Sequence, residues 1–327
     1  MYKRNNEEKK SANDIIVEKI LENIEETKTL PWLKAFKEGF PRNNISGKRY
    51  RGVNWLLLPS GEYFTELQLR EYNKKHGTDF RYQKGIKWFY VVFFKEDSRE
   101  VSKEDIEKEF PDSVIDEKFS GRSGSWVYYW SEDRKEFRKV RRILRYSKVA
   151  ERNFAKDSDG NILSSCIDGT EVSFTRQDVK SLIQKYLENT GISIKHYSEG
   201  CMAYDYVGDF IKQNDCMFSE GEWFSAMFHE MAHSTGHMSR LNRNLASMSK
   251  DEYAKEECIA EICSAMLCNR FGLSDFMTSN VKCFDNSVAY IQYYRNRITD
   301  WKKDFIWVCS QAQMAYDFII KNMGVED

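Results

Sequence analysis

Ser219-Glu220-Gly221-Glu222-Trp223-Phe224-Ser225-Ala226-Met227-Phe228-His229-Glu230-Met231-Ala232-His233-Ser234-Thr235-Gly236-His237 is the segment on which the fold turns. Ser219 followed by Glu222 is a capping-box pair, each side chain satisfying a backbone N–H that a first helical turn leaves open, so a helix is expected to begin near Glu220. Phe224, Met227, Phe228 and Met231 recur at helical spacing and form an apolar stripe for a core. His229 and His233 fall roughly opposite that stripe, one turn apart, where two imidazoles reach a single ion. With Glu230 they make an HExxH motif, in which the glutamate serves as the catalytic carboxylate of a metallohydrolase. The chain has only 5 histidines and places His229, His233 and His237 within this one segment, which argues against a chance match.

A catalytic metal of this kind takes a third protein ligand and keeps one position for water. Ser249 and Glu252 form a second capping box, so another helix is expected from near Lys250, with Ile259, Ile262, Cys263 and Met266 as its apolar stripe. Glu257 and Glu261 lie opposite that stripe, about one turn apart, while Glu256 points to the side. Glu257 can therefore ligate the ion and Glu261 can hold a ligating imidazole from behind. Ala260, Ser264 and Ala265 allow this helix to pack closely on the first. His237 is the alternative third ligand, although it follows the helix-ending Gly236, and the position of the last histidine in an HExxHxxGxxH pattern is Ser239. The donor set suits zinc, with manganese as the alternative. In this scheme Glu230 takes the proton of the attacking water, and Tyr204, Tyr253 or His237 stabilises the oxyanion. A solvated helix face is the bland reading of the same residues, and a site that binds metal without turnover is another.

Outward from this centre, the chain is 327 residues long, 41% hydrophobic and 31% charged, enough for two soluble domains. No apolar run is long enough to cross a membrane, and the polar tail 1–12 lacks the apolar core of a secretory signal. The 8 cysteines include no CxxC pair, so reduced, buried thiols in a cytoplasmic protein are expected rather than a disulfide scaffold. Helices are expected over 13–26, 65–75 and 175–189 and in the C-terminal region 286–323, with strands over 86–94, 126–130 and 138–147 and a small sheet from 192–195 and 202–206. The fold class is α+β: an N-terminal α/β domain over 1–155, then a mainly helical domain over 165–327. The stretch 96–120 is taken as an acidic, solvated insertion ending in a flexible serine-rich loop.

The near-neutral net charge of −1 hides an asymmetry. Residues 28–95 hold 14 Lys/Arg against 5 Asp/Glu, together with 15 Phe, Trp and Tyr. Residues 134–152 hold 9 basic and 2 acidic residues, and 96–118 between them holds 10 acidic and 4 basic. Aromatic rings stack on unpaired bases and basic side chains follow phosphates, so single-stranded nucleic acid is the expected partner of this half. The candidate contacts are Arg42, Asn43, Lys48, Arg49, Tyr50, Arg51, Asn54 and Trp55 in one glycine-punctuated stretch, with Lys84 and Lys87 in a second. Other aromatics, such as Phe89 and Phe93, are expected to build the core.

The two halves together resemble the ArdC-type antirestriction proteins. The resemblance runs through Pro31-Trp32, Asn43, Gly47-Lys48-Arg49-Tyr50-Arg51-Gly52-Val53-Asn54, Lys84-Gly85, Val91-Val92-Phe93 and Tyr146 to Asn153. It resumes at Ala203-Tyr204, Asp209-Phe210-Ile211, the block 229–243 and Tyr253-Ala254-Lys255-Glu256-Glu257, and reaches 315–319. It implies a single-stranded-DNA-binding domain joined to a zincin-like metallopeptidase domain, carried by plasmids, phages and related mobile elements and protecting incoming DNA from restriction. It also implies metal-ligand roles for His229, His233 and Glu257, the catalytic role for Glu230, and a protein substrate. Two departures stand out: Ser234 replaces a frequent aromatic, with an altered cleft as the expected result, and the acidic segment 96–118 looks inserted.

Overall fold

The structure is a computed structural model that describes residues 40–165, 173–214, 220–273 and 301–326, with no side-chain description for 301–303. The tail 1–12, the helix expected over 13–26, the capping residue Ser219 and the stretch 286–300 lie outside the described residues. The chain forms two compact units, one of Met1–Tyr90 with Lys148–Asp327, the other of Val91–Ser147. The described elements give the expected mixed α/β class.

In the first unit, β1 (Arg42–Asn43) runs parallel to β2 (Glu62–Phe64), whose other edge pairs antiparallel with the end of β7 (Glu136–Glu151), Tyr63 opposite Glu151. Between β1 and β2 sits the short helix α1 (Val53–Leu57), with Val53, Trp55, Leu56 and Leu57 all buried. Helix α2 (Glu66–His76) starts on a Thr65–Gln68 capping box and stops at Gly77, whose φ of 65° is the left-handed geometry that ends helices. β3 (Arg81–Tyr82) pairs with β8 (Ala155–Lys156), and Phe64, Leu69, Ala155 and Leu163 make the local core.

The same unit continues with α4 (Arg176–Thr190), capped by Thr175 and Asp178 and closed by Gly191. The expected small sheet forms, but through a strand the sequence reading passed over. β9 (Ser193–Tyr197) and β10 (Ala203–Asp205) do not pair with each other; β11 (Phe210–Asn214) lies between them, parallel to β9 and antiparallel to β10. Helix α5 (Glu220–Thr235) buries Phe224, Met227, Phe228 and Met231, the stripe read from the sequence. It packs on α6 (Lys250–Arg270), which begins at the expected Ser249–Glu252 capping box. The long helix α7 (Trp301–Met323) packs on α4, α5, α6 and α1.

The second unit corrects the expectation of a solvated insertion. β4 (Phe89–Glu100) leads into α3 (Lys103–Glu109), and β5 (Ser120–Ser123) pairs with β6 (Trp126–Ser131), which pairs with β7. Ile106, Ile115 and Tyr128 are buried together, with Val101, Phe110, Phe119, Trp126 and Phe137 packed around them. The acidic side chains face outward from this small core, so a charge count alone misread an amphipathic segment. The serine-rich stretch is not a flexible loop either. It forms β5 and a two-residue hairpin turn between Ser123 and Trp126, where Gly124 supplies the positive φ of 55° that such turns need.

Candidate metal centre

α5 and α6 bring three side chains to one point. Ligand atoms of His229, His233 and Glu257 all lie within 4.8 Å of one another. The two Nε2 atoms are 3.0 Å apart, and the Glu257 carboxylate stands 3.5 Å from His229 Nε2 and 3.8 Å from His233 Nε2. Behind them, His229 Nδ1 meets Glu261 at 3.3 Å and His233 Nδ1 meets Glu256 at 3.1 Å. A carboxylate behind each ring favours the proton on Nδ1 and turns the Nε2 lone pair toward the common point. Two lone pairs and a carboxylate facing each other this closely need a cation between them, so the residues present fit a divalent metal.

The surrounding carboxylates favour positive charge at this point, whether a proton or a bound cation supplies it. Burial pushes the Glu257 carboxyl up, but its His229 hydrogen bond and the charges of both histidines outweigh that and bring it down to about 2. Burial opposes a charged His229, yet Glu257 and Glu261 raise its pKa well above the ordinary imidazole value. Glu256 is held below the carboxylate range despite its burial, by Arg243 and then His233.

Glu256 is the residue that the sequence reading placed to the side. It is buried, and the Arg243 guanidinium grips both its oxygens, Nε at 2.7 Å and Nη2 at 2.7 Å. Arg243 also donates to the Ala232 carbonyl and to Thr235 Oγ1, tying the end of α5 to α6. The missed signal was the adjacent Glu256-Glu257 pair together with an arginine in the intervening loop. Helical periodicity failed because α6 is buried on nearly all sides, from Ala254 through Asn269.

Glu230 lies beside this cluster, its Oε2 accepting from the Tyr204 backbone N–H at 2.7 Å. β10 thus forms one wall of a cleft of about 320 Å³, lined also by Met202, Tyr206, Leu245, Met248 and Tyr253 around the two histidines and Glu230. Of the three oxyanion candidates, Tyr204 and Tyr253 line the cleft and His237 does not. Tyr253 hydrogen-bonds Glu257. The Tyr204 hydroxyl lies 2.5 Å from Asp209 and accepts from Arg240 at 2.9 Å. His237 sits in the turn after α5 with its ring against Tyr206 and its Nδ1 at Ser239, apart from the three clustered groups. Ser234 is buried and bonded to the Tyr186 hydroxyl at 2.7 Å, on the core side of α5, so its departure from the family pattern does not shape the cleft.

The candidate DNA contacts divide. Lys48, Arg51, Lys84 and Lys87 are exposed, and Arg42, Asn43, Arg49, Tyr50 and Asn54 are half-buried. Asn43 organises its own turn, accepting from the Ile45 and Ser46 N–H groups and donating to Tyr50 and Gln68. Arg49 lies over the Phe40 ring and Arg51 pairs with Asp317. Trp55 is a correction: its ring is completely buried, so it is core and offers no face to a base. Phe93 errs the other way, since the expected core residue is 47% exposed.

Residues 10–149 match the family described as the N-terminal domain of anti-restriction factor ArdC, and residues 181–304 match a zincin-like metallopeptidase family. Two Escherichia coli proteins named DNA primase TraC are 22% and 26% identical over 97% and 96% of this chain. The chain spans only 20% and 27% of their lengths. An uncharacterised Sinorhizobium fredii protein, y4eC, is 24% identical over 85% of this chain and 80% of its own. Among solved structures, the metal-free antirestriction ArdC protein from the R388 plasmid aligns with a TM-score of 0.65 at 23% identity, covering 97% of this chain and 100% of that one. Its Mn(II)-bound form aligns at 0.64 and 22% identity, over 96% and 98%. The two domain families are thus matched in order along one chain, an ArdC-type N-terminal domain followed by a zincin-like metallopeptidase domain, and the fold of the R388 ArdC protein is shared over nearly the full length of this chain.

Proposed function

We propose that this protein binds single-stranded DNA through an N-terminal domain over 1–155 and acts as a metal-dependent peptidase through a zincin-like domain over 165–327, protecting DNA that enters a cell from restriction. The observation that carries the hydrolytic part is the convergence of His229, His233 and Glu257 beside Glu230 in an open cleft. His229, His233 and Glu257 would hold the metal, with zinc the first choice for two imidazoles and one carboxylate and manganese the alternative. When bound, the metal supplies Lewis acidity toward a carbonyl oxygen and toward water. Glu261 and Glu256 fix the two imidazoles, Glu230 receives the water proton and returns it to the leaving amine, and Tyr253 offers a phenol to the developing oxyanion, whereas the Tyr204 hydroxyl is committed to Asp209. The β10 wall gives an extended peptide a backbone to lie against.

A DNA-binding protein with a non-catalytic metal is the second reading. It is favoured by the Glu230 carboxylate being engaged by the Tyr204 N–H. Peptide hydrolysis by the full chain, abolished by a chelator, restored by zinc or manganese, and lost in Glu230→Gln with metal binding retained, supports the peptidase. A Glu230→Gln variant as active as the parent overturns it.

A further inference from the structure

The unit Val91–Ser147 leaves three aromatic side chains substantially exposed. Phe93 is 47% exposed, Phe94 59% and Tyr146 45%. Their placement follows from contacts within this unit. The Val101 N–H donates to the Phe137 carbonyl, and Asp97 pairs with Arg141. An equal step back along β4 thus meets an equal step forward along β7, so the strands run antiparallel and a further such step sets Phe93 opposite Arg145. Continued in that register, Phe94 falls opposite Leu144 and diagonal to Tyr146 on the same face, a spacing at which two large side chains can share one ligand. Arg142, exposed and without an ion pair among the described residues, projects on that face as well. Arg145 and Lys95 are exposed on the other face. Consecutive exposed phenylalanines on a strand leave apolar surface in water on both faces of the ribbon, and such surface marks contact with a partner.

We propose that this β4–β7 ribbon is a base-stacking platform for single-stranded DNA, with unpaired bases on Phe94 and Tyr146 and phosphates on Arg142. The chemistry favours this partner over an apolar protein face. Rings interleaved with arginines suit a chain that alternates π-faces with phosphates. The basic stretch 134–152, with 9 Lys/Arg against 2 Asp/Glu, lies along the same strand. Duplex DNA has no unpaired base to offer these rings. The proposal rests on the DNA-binding reading above and moves the stacking contacts from the 42–55 stretch, where Trp55 is buried, to the ribbon.

The test is fluorescence anisotropy of a labelled oligothymidylate with the full chain, at low salt and across a salt series, for the parent, Phe94→Ala, Tyr146→Ala, Phe94→Trp and Arg142→Gln. The expected result is binding by the parent that weakens about tenfold in each alanine variant, the loss of one base stack, with folding checked by circular dichroism. Phe94→Trp should restore affinity, and its added tryptophan emission should be quenched by the oligonucleotide. Arg142→Gln should flatten the logarithmic salt slope by about 0.7, one phosphate contact. Folded alanine variants that bind as the parent does overturn the platform and leave DNA binding to other surfaces. A parent that binds no oligonucleotide at low salt overturns the DNA-binding reading itself, and the platform with it.

Discussion

Glu256 and Glu257 are neighbours on α6 with different tasks. Glu257 stands among the Nε2 atoms, whereas Glu256 receives His233 Nδ1 and is itself clamped by Arg243. Glu257→Gln is therefore expected to abolish tight metal binding. Glu256→Gln, which keeps the shape but weakens the hold on the imidazole, should lower zinc affinity roughly 10- to 100-fold with the fold intact. A competition titration against a chromogenic chelator measures both, and equal effects would erase the distinction drawn between them. Asp209 supports a pH prediction at a distance from these ligands. Burial raises its carboxyl, but Arg240 and Tyr204 lower it more, so its folded pKa lies below the unfolded one. Its contribution to stability is present above the unfolded value of about 4 and disappears as pH falls through the folded value. Asp209→Asn should cost about 2 kcal/mol at pH 7, since the Arg240 side chain is only 5% exposed, and the gap in urea midpoints should close as pH falls toward 3. A gap that is constant with pH would mean that the carboxylate charge carries none of it. The convergence of His229 and His233 was legible because a helix sets the geometry at four-residue spacing, and Glu257 followed from a second helix with a clear cap. Glu256 was not, because a stripe tells inside from outside only on a helix that has an outside.

At the scale of elements, capping chemistry gave the helix start at Ser249, and the helices expected from residues 65 and 175 begin on capping boxes of the same kind, each a local contract between side chains and backbone N–H groups. β11 was hidden because Phe210 to Asn214 carries only two buried apolar residues before its polar end, and its role as the central strand depends on partners distant in sequence. The acidic segment was misread for a related reason: Ile106 and Ile115 are buried against Tyr128 of β6, a strand legible in itself whose packing partner no local composition announces. Two tests belong here. Ser249→Ala removes the acceptor for the Glu252 N–H and should cost about 1 kcal/mol, lowering the thermal midpoint by a few degrees. Ser264 is nearly fully buried and donates to the Ser225 carbonyl at 2.9 Å where α6 packs on α5. Ser264→Leu should overfill that contact by about 1–3 kcal/mol and loosen metal binding by spreading the two helices that carry the ligands. Differential scanning fluorimetry, with and without zinc, separates the two: Ser249→Ala keeps the parent's zinc-induced rise, and Ser264→Leu loses much of it.

Across the whole molecule, the residues before 90 do not finish their core by themselves. Phe40 packs on Tyr316, the Gly52 N–H donates to Gln313 at 2.8 Å, and Arg51 pairs with Asp317, so α1 is seated on α7, more than two hundred residues later in the chain. Gly52 has a φ of 57° at the start of α1, and its N–H has its partner on α7 rather than in a local turn. A fragment cut near residue 165 would leave Phe40 and the Gly52 N–H facing water and remove a wall from the Val53–Leu58 core. Such a fragment is expected to bind a hydrophobic dye and to melt more broadly than the full chain. Gln313→Ala in the full chain is the gentler version, leaving one half-buried N–H without an acceptor and costing about 1–2 kcal/mol. A fragment that melts as sharply as the full chain, with no dye binding, would show that α7 is dispensable to the N-terminal half. The expected outcome instead ties the integrity of the N-terminal half, where DNA binding is proposed, to the last helix of the chain, so a truncation that removes α7 should weaken any DNA retention by unsettling the core beneath that half.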